Sequence, residues 1–205
     1  MSLGFLKKNN YYSHFRKVMI HRKWVRHYCF KAGHYWQGLT HDLSKYSPTE
    51  FIESAEYYQG NRSPIDACKE NKGYSLAWMH HRGRNKHHRE YWTDYYDKGT
   101  ASIAMPYKYA VEMLCDFLAA GRAYNGLAFT YEEELKWWNN QLCKNICIHP
   151  QTAKFITLAL QRIANGEELS KTLVAQCYGR ATSWALAAGY MVECFERSNN
   201  FREKL

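Results

Sequence analysis

The residues best suited to chemistry are histidines and aspartates that recur between His21 and Asp116 of this 205-residue chain. Imidazole and carboxylate groups bind Fe, Mn, Zn, Co or Ni, and a carboxylate can bridge two ions. At His41-Asp42 both types are adjacent, which makes Asp42 the natural bridge. Alone, this dipeptide is more typical of a turn-capping aspartate beside a surface histidine, but the assembled set predicts a site for one or two divalent ions. The candidate ligands are His21, His41, Asp42, His81, His87, His88 and Asp116.

Two pairs of adjacent histidines leave the choice of ligand open. Neighbouring residues of an α-helix point about 100° apart, so we expect only one member of a pair to face a given ion. His87 is preferred over His88, which would then support the site or contact the substrate. The same ambiguity holds for His80 and His81.

Cations and one further acid complete the set of candidate residues. Arginine can bind phosphate through two hydrogen bonds, and lysine acts as a point charge. The candidate substrate-binding residues are Lys45, Arg82, Arg84, Lys86 and His88. A solvated basic loop explains residues 82–86 equally well. The candidate catalytic residues are Asp42, Lys45 and Glu112. Glu112 could act as a general acid or base, orient a histidine, or lie on a helix surface.

A long helix over residues 12–37 is predicted to position His21. Apolar residues at steps of three and four share one inward face with it, namely Val18, Val25, Tyr28, Ala32 and Trp36. Gly38 ends this pattern, which places His41-Asp42 in or beside a turn. Ser47-Pro48-Thr49-Glu50 then forms a capping box that begins a helix to about residue 58.

The remaining chain predicts further helices and no strand. Residues 59–73 resemble a loop with at most a short helix. A helix is predicted over residues 74–81 and is broken at Gly83. Residues 85–92 could form a further helical segment before a polar connection over residues 93–102. Helices should begin at Pro106, Thr130, Pro150 and Ser170. The buried candidates of the last one are Leu173, Cys177, Ala181, Trp184, Leu186 and Met191. We predict an all-α fold in a single domain over residues 1–205.

Charge and composition limit the partners. The net charge is +9, and no acidic residue precedes Asp42. A basic N-terminal helix suits a phosphorylated small molecule, a nucleotide or nucleic acid, but equally a solvated helix face. Seven scattered cysteines favour reduced thiols in a cytoplasmic protein. No secretory signal and no apolar run of about 20 residues is evident, so no membrane association is expected.

His41-Asp42-Leu43-Ser44-Lys45 resembles the His-Asp-hydrophobic-small-Lys signature of the HD-domain metal-dependent phosphohydrolases, with Ser44 where glycine is commoner. Residues 37–47, residues 81–92 and the Glu112/Asp116 helix are similar to an uncharacterised family of small HD-like proteins, known as a domain of unknown function. The resemblance covers about residues 12–125. It implies an HD-domain-like helical bundle, with residues 126–205 as a helical extension that could shape the pocket or a homodimer contact.

The resemblance also implies how the ligands are shared. One ion would be held by His21, His41, Asp42 and Asp116, and a second by Asp42, His81 and either His87 or His88. Only 20 residues separate His21 from His41, fewer than is usual in the superfamily, so His14 and His34 are the alternatives to His21. His14 is expected to lie off the inward face of its helix.

The activity implied is hydrolysis of a phosphomonoester, nucleotide or phosphodiester by a metal-activated water. A first alternative keeps the fold and changes the reaction, since some HD-like proteins with this order of ligands are mixed-valent di-iron oxygenases. A second alternative is a non-enzymatic protein whose basic N-terminal helix binds nucleic acid and whose metal is structural.

Overall fold

The computed structural model describes residues 3–97 and 99–190. Its α-helices are α1 (Leu3–Lys31), α2 (Tyr35–Thr40), α3 (Pro48–Glu56), α4 (Pro64–Lys72), α5 (Leu76–Arg84), α6 (Tyr107–Asn125), α7 (Tyr131–Cys143), α8 (Pro150–Ala164) and α9 (Lys171–Ala187). Short 3-10 helices span Leu43–Tyr46, Arg89–Trp92 and Gly126–Ala128. The described part of the chain is mostly helical, so the prediction of an all-α fold is confirmed.

One β-hairpin corrects the expectation that no strand would form. Strand β1 (Thr93–Tyr96) pairs antiparallel with β2 (Gly99–Ser102), where a polar connection was predicted. Each strand has only four residues, so at most two side chains of each share a face. Alternation over so short a segment gives no recognisable sequence pattern.

The turn between α1 and α2 lies earlier than the sequence predicts. Gly33, with φ of +78°, reverses the chain after α1. Because α2 begins a new helix, the predicted inward pattern breaks, and Trp36 is 72% exposed. Gly38 does not end the helical segment. It is buried within α2, where a Cβ would come within 3.0 Å of the Cβ of Cys29, so its missing side chain lets α2 pack against α1.

The helix starts are the most accurate part of the prediction. Ser47, Thr130 and Ser170 each accept a hydrogen bond from the backbone N–H three residues further on. These bonds satisfy N–H groups that the first turn of a helix leaves free. Pro150 begins α8, and Pro106 directly precedes α6.

Residues 59–92 agree with the prediction in the short helix that follows Ser63 and depart from it in two places. Residues 64–72 form α4, which ends at Gly73 in the left-handed conformation (φ +82°). Gly83 lies inside α5 and does not end it. A helical glycine costs only about 1 kcal/mol relative to alanine, which packing can outweigh. Residues 85–88 form a turn, so the predicted helix over 85–92 is reduced to the 3-10 helix at Arg89–Trp92.

The core forms where α6 packs against α1 and where α8 packs against α9. As predicted, α9 buries Leu173, Cys177 and Ala181. Trp184 and Leu186 were also expected inside, but they are 40% and 59% exposed because they flank the buried Ala185. Met191 lies outside the described residues. No helix in the described part of the chain is long and apolar enough to span a bilayer.

Candidate metal centre

Separate segments of the fold bring the candidate ligands together. They come from α1 (His21), the turn after α2 (His41 and Asp42), α5 (His81), the turn after α5 (His87 and His88) and α6 (Asp116). Their side chains form two groups, in each of which potential ligand atoms lie within 4.8 Å of one another. The first group is His21, His41, Asp42 and Asp116, and the second group is Asp42, His81, His87 and His88. The convergence that a metal site requires is present, and the binding of an ion stays a prediction.

The first group is arranged around imidazole Nε2 atoms. His21 Nε2 lies 3.1 Å from Asp116 Oδ1 and 3.5 Å from Asp42 Oδ2. His41 Nε2 lies 3.3 Å from Asp42 Oδ2 and 3.5 Å from Asp116 Oδ1. The two Nε2 atoms are 3.4 Å apart. Two imidazole nitrogens and two carboxylate oxygens thus face one small volume, which suits a single divalent ion.

Asp42 belongs to both groups because its two carboxylate oxygens face opposite ways. Oδ2 points to the first group, while Oδ1 lies 3.4 Å from His81 Nε2 and 3.4 Å from His87 Nε2. One oxygen for each group is the geometry of a bridging carboxylate. Asp42 also has a left-handed backbone, with φ of 55°. Aspartate tolerates this conformation better than most residues, and such backbones are frequent at functional sites.

Glu112 connects the two groups from behind. Its Oε1 lies 2.9 Å from His41 Nδ1 and 3.2 Å from His87 Nδ1. Burial opposes the charge of Glu112, but hydrogen bonds from these histidines outweigh it and lower the pKa of the carboxyl group. An ionised carboxylate only accepts hydrogen bonds, so each Nδ1 donates to Glu112 and each Nε2 faces the groups. Burial opposes a charge on His41, but Asp42, Asp116 and Glu112 outweigh it and raise the pKa of His41, so an ion that binds there would displace a proton from Nε2. Of the roles considered for Glu112, this geometry favours orientation of histidines.

Glu50 has the same relation to His81, although no sequence pattern predicts this role for it. Its Oε2 lies 2.7 Å from His81 Nδ1, and its Oε1 lies 2.6 Å from His80 Nδ1. His80 is therefore held outside both groups, which settles the arrangement of this pair in favour of His81 as the inward residue. Ser44 occupies the position at which glycine is commoner in the signature that residues 41–45 resemble. It donates a hydrogen bond to Glu50 and accepts one from Asn85.

His87 and His88 both face the second group, which corrects the expectation that only one could. That expectation assumed helical geometry, but the two residues lie in a turn, where neighbouring side chains need not diverge by about 100°. Their ring centroids are 4.3 Å apart. Burial, and then the nearby His87 and His81, hold the pKa of His88 well below its usual value, so His88 is neutral as a ligand must be.

Unsatisfied buried atoms indicate that these groups fit a cation. Both carboxylate oxygens of Asp42, Nε2 of His87 and Nε2 of His88 are buried without a hydrogen bond of good geometry to any residue that the structure describes. Lys45 Nζ lies 2.7 Å from Asp42 Oδ2, so one of these oxygens does have an ion-pair partner. Buried polar atoms without partners are costly, and one ion in each group would together satisfy all four.

The charge states also suit a metal site. Burial disfavours the charge on Asp42, but His41, Lys45 and His81 outweigh it and hold the pKa of Asp42 well below its usual value. Burial likewise opposes the charge on Asp116, and hydrogen bonds from His21 and His41 outweigh it to hold its pKa low. Both carboxylates are therefore ionised at neutral pH, as metal ligands must be.

A cavity of about 210 Å³ opens beside both groups. Lys17, Lys45 and His14 line it together with ligand candidates from each group, and much of the remaining wall is apolar, including Val18, Pro64, Ile65, Ala120 and Ala123. We call it the metal-side cavity. Burial opposes the charge on Lys45, but Asp42 and Asp116 outweigh it and raise its pKa, so Lys45 stays a cation there.

The basic loop predicted to bind phosphate does not line this cavity. Arg82, Arg84 and Lys86 are absent from its wall. Lys86 Nζ lies 5.5 Å from the ring centre of Tyr91 instead. Arg84 and Lys86 are exposed, and Arg82 is half-buried. The sequence could not show this, because the direction of each side chain depends on where α5 ends.

The two alternatives to His21 lie outside both groups. His34 packs against the ring of Tyr107. His14 was expected off the inward face, but it is 5% exposed and packs against Phe51 and Tyr58. Seven residues are about two helical turns, so His14 and His21 share a face. His14 lines the metal-side cavity, and its Nδ1 is buried without a hydrogen bond to any described residue.

Comparison with known proteins gives the family and nothing finer. A family of unknown function, DUF5662, matches residues 10–162, about three quarters of the chain, and the chain therefore belongs to that family. No curated protein and no solved structure matches the chain significantly. The match covers α7 and most of α8 as well as the segments that carry the candidate ligands.

Proposed function

We propose that this member of a family of unknown function is a metal-dependent phosphohydrolase with two ions bridged by Asp42. The observation that carries the proposal is the division of the Asp42 carboxylate, with Oδ2 facing the first group and Oδ1 facing the second. Two ions about 3.5–4 Å apart, bridged by a carboxylate, are typical of enzymes that cleave phosphoesters.

Two bound ions would supply Lewis-acid charge and a water of lowered pKa. The residues of the chain orient the reactants around them. Glu112 and Glu50 hold the imidazoles of His41, His87 and His81 with Nε2 towards the centre. Lys45 keeps a positive charge beside Asp42, on the wall of the metal-side cavity, where it can bind a phosphate oxygen.

The metal-side cavity favours a compact substrate. Lys45, which pairs with Asp42, and Lys17 line it, and apolar side chains form most of the rest of the wall. A volume of about 210 Å³ is small for a ligand pocket. We therefore propose a phosphomonoester whose alcohol part is small and largely apolar. His14 Nδ1, which is buried without a partner among the described residues, would accept one hydrogen bond from that part or donate one to it.

The N-terminal helix gives the nucleic-acid alternative less support than its charge implies. Arg22 donates to the carbonyl oxygens of His41 and Leu39, and Lys31 pairs with Glu168. Lys17 donates to the Ala123 carbonyl at the metal-side cavity. Cations that are bound within the fold are less available to a phosphate backbone.

The test is a screen of phosphomonoesters, nucleotides and phosphodiesters with protein loaded with Mn, Fe, Co, Ni or Zn. We expect turnover of a small phosphomonoester that is abolished in Asp42→Asn and unchanged in Asp94→Asn, which alters an exposed hairpin residue. Turnover without oxygen and with redox-inert metals separates hydrolysis from the di-iron alternative. Metal-loaded protein that hydrolyses none of these esters, or an activity that needs both iron and oxygen, would contradict the proposal.

A further inference from the structure

A second cavity, of about 490 Å³, lies between α6, α7 and the start of α4. The acids Asp66, Glu133 and Glu134 line it, together with the aromatic residues Phe117, Tyr124 and Trp137. No candidate metal ligand lines it. We call it the Glu134 cavity.

Glu134 is a buried carboxyl group without a partner. It is 7% exposed, and its side chain has no hydrogen bond or ion pair with any residue that the structure describes. Burial, and then the charge of Asp116, raise the pKa of Glu134 to about 7. A buried carboxyl group without a partner is stabilised when a hydrogen-bond donor binds it, and a positively charged donor stabilises it most.

Gly121 makes the room for this carboxyl group. A Cβ at position 121 would overlap Glu134 Oε2 and would lie 2.7 Å from the ring of Phe129. The absence of a side chain at this position of α6 therefore lets Glu134 lie against the helix backbone. The carboxyl group of Glu134 thus packs closely against α6 at Gly121, and no described residue donates a hydrogen bond to it from the cavity.

The other charges around the cavity are already compensated or are negative. Glu133 pairs with Lys136 at 2.6 Å, and Arg62 forms two bonds to Glu70. Glu134 and Asp66 are left as the acids without an ion pair among the described residues of the lining. The cavity is therefore locally negative although the whole chain is basic.

Two aromatic rings offer a second attraction for a cation. Phe117 and Trp137 form an edge-to-face pair with ring centroids 5.1 Å apart, and both line the cavity. The faces of such rings attract ammonium groups, and their surfaces cover alkyl chains. Trp137 is 41% exposed, so the cavity is accessible from solvent.

We propose that the Glu134 cavity binds a small organic primary ammonium group, which donates to the Glu134 carboxylate while its alkyl part packs on Phe117 and Trp137. A metal ion fits less well, because the lining offers several aromatic rings and only a few acidic oxygens. The proposal is independent of the phosphohydrolase proposal.

The test is a titration of isotopically labelled, metal-loaded full-length protein with n-butylammonium chloride and, separately, with 1-butanol, monitored by amide and indole NMR shifts. We expect saturable shifts at millimolar concentration that include Gly121 and the Trp137 indole. Butanol, and the variant Glu134→Gln with butylammonium, should each bind about tenfold or more weakly, since a charge-assisted bond is lost. Glu132→Gln, the same change at an exposed position of α7, should bind as the unmodified protein does.

Dispersed NMR spectra of Glu134→Gln show directly whether that variant is folded, and a Trp137→Leu variant provides a second test with an expected loss of affinity. The proposal is overturned if butanol binds as well as butylammonium, if Glu134→Gln leaves the affinity unchanged, or if no saturable shift occurs. Shifts confined to residues around the candidate metal ligands would overturn it as well.

Discussion

Glu112 and Glu50 provide a matched pair of substitutions that tests how the two groups are connected. Glu112→Gln and Glu50→Gln each remove one negative charge and keep the shape of the side chain. Glu112 contacts His41 of the first group and His87 of the second, whereas Glu50 contacts only His81 among the candidate ligands. We therefore expect Glu112→Gln to weaken the binding of both ions and Glu50→Gln to weaken the binding of only one.

The expected size follows from the role of such carboxylates. A residue that orients a metal-binding histidine typically changes metal affinity by about 10–100-fold when it is replaced, or about 1.4–2.7 kcal/mol per ion. Glu112→Gln should lower both stepwise affinities by this factor. Glu50→Gln should lower only one, towards the smaller end, because Asn85 also lies 3.1 Å from His81 Nδ1.

The assay is a competition titration of metal-free protein against a coloured chelator with Zn and Mn, which resolves two binding steps. Circular dichroism confirms that each variant is folded, and Glu132→Gln serves as the control for loss of an exposed acid. The reasoning is refuted if Glu50→Gln weakens both steps equally, or if Glu112→Gln leaves one step unaltered.

Three further predictions concern residues around the two cavities and the packing of α2. Burial raises the pKa of Glu134 from 4.5 to about 7, so the folded state loses stability as rising pH ionises this group. The stability of Glu134→Gln relative to the unmodified protein should therefore rise by up to about 3 kcal/mol between pH 4.5 and 8. Urea unfolding in amine-free buffer measures this difference, and a difference that does not change with pH would contradict the prediction. Lys45→Met should raise KM for the active phosphomonoester by about tenfold or more without changing the binding of either ion. Unchanged kinetics would show that Lys45 does not bind the substrate. Gly38→Ala should destabilise the protein by about 1–2 kcal/mol, since the new Cβ would come within 3.0 Å of Cys29. Gly83→Ala, where no atom lies near the new Cβ, should stabilise the protein by up to about 1 kcal/mol. Equal shifts of the melting temperature in the two variants would contradict this.

The sequence predicts which candidate residues converge, because their local positions follow from local patterns. His21 lies on the inward face of a helix, and the capping box at Ser47 leaves His41-Asp42 in a turn. Such features depend on neighbouring residues only. The order of ligand types along the chain then suggests which residues converge.

What the sequence could not give depends on contacts between distant elements. Glu50 has a sufficient local explanation as part of a capping box, yet its carboxylate bonds to His81, 31 residues away. The inward direction of both His87 and His88 follows from a turn where a helix was expected. Likewise, Lys17 and His14 line the metal-side cavity only because α1 packs there, while the basic loop faces away.

The most direct measurement is the number and position of bound metal ions, from elemental analysis of purified protein and anomalous diffraction from a metal-loaded crystal. We expect two ions per chain, one on each side of the Asp42 carboxylate, with the binding of both ions weakened in Asp42→Asn. Protein that binds no ion under metal-replete conditions, or that holds its ions away from Asp42, would contradict it.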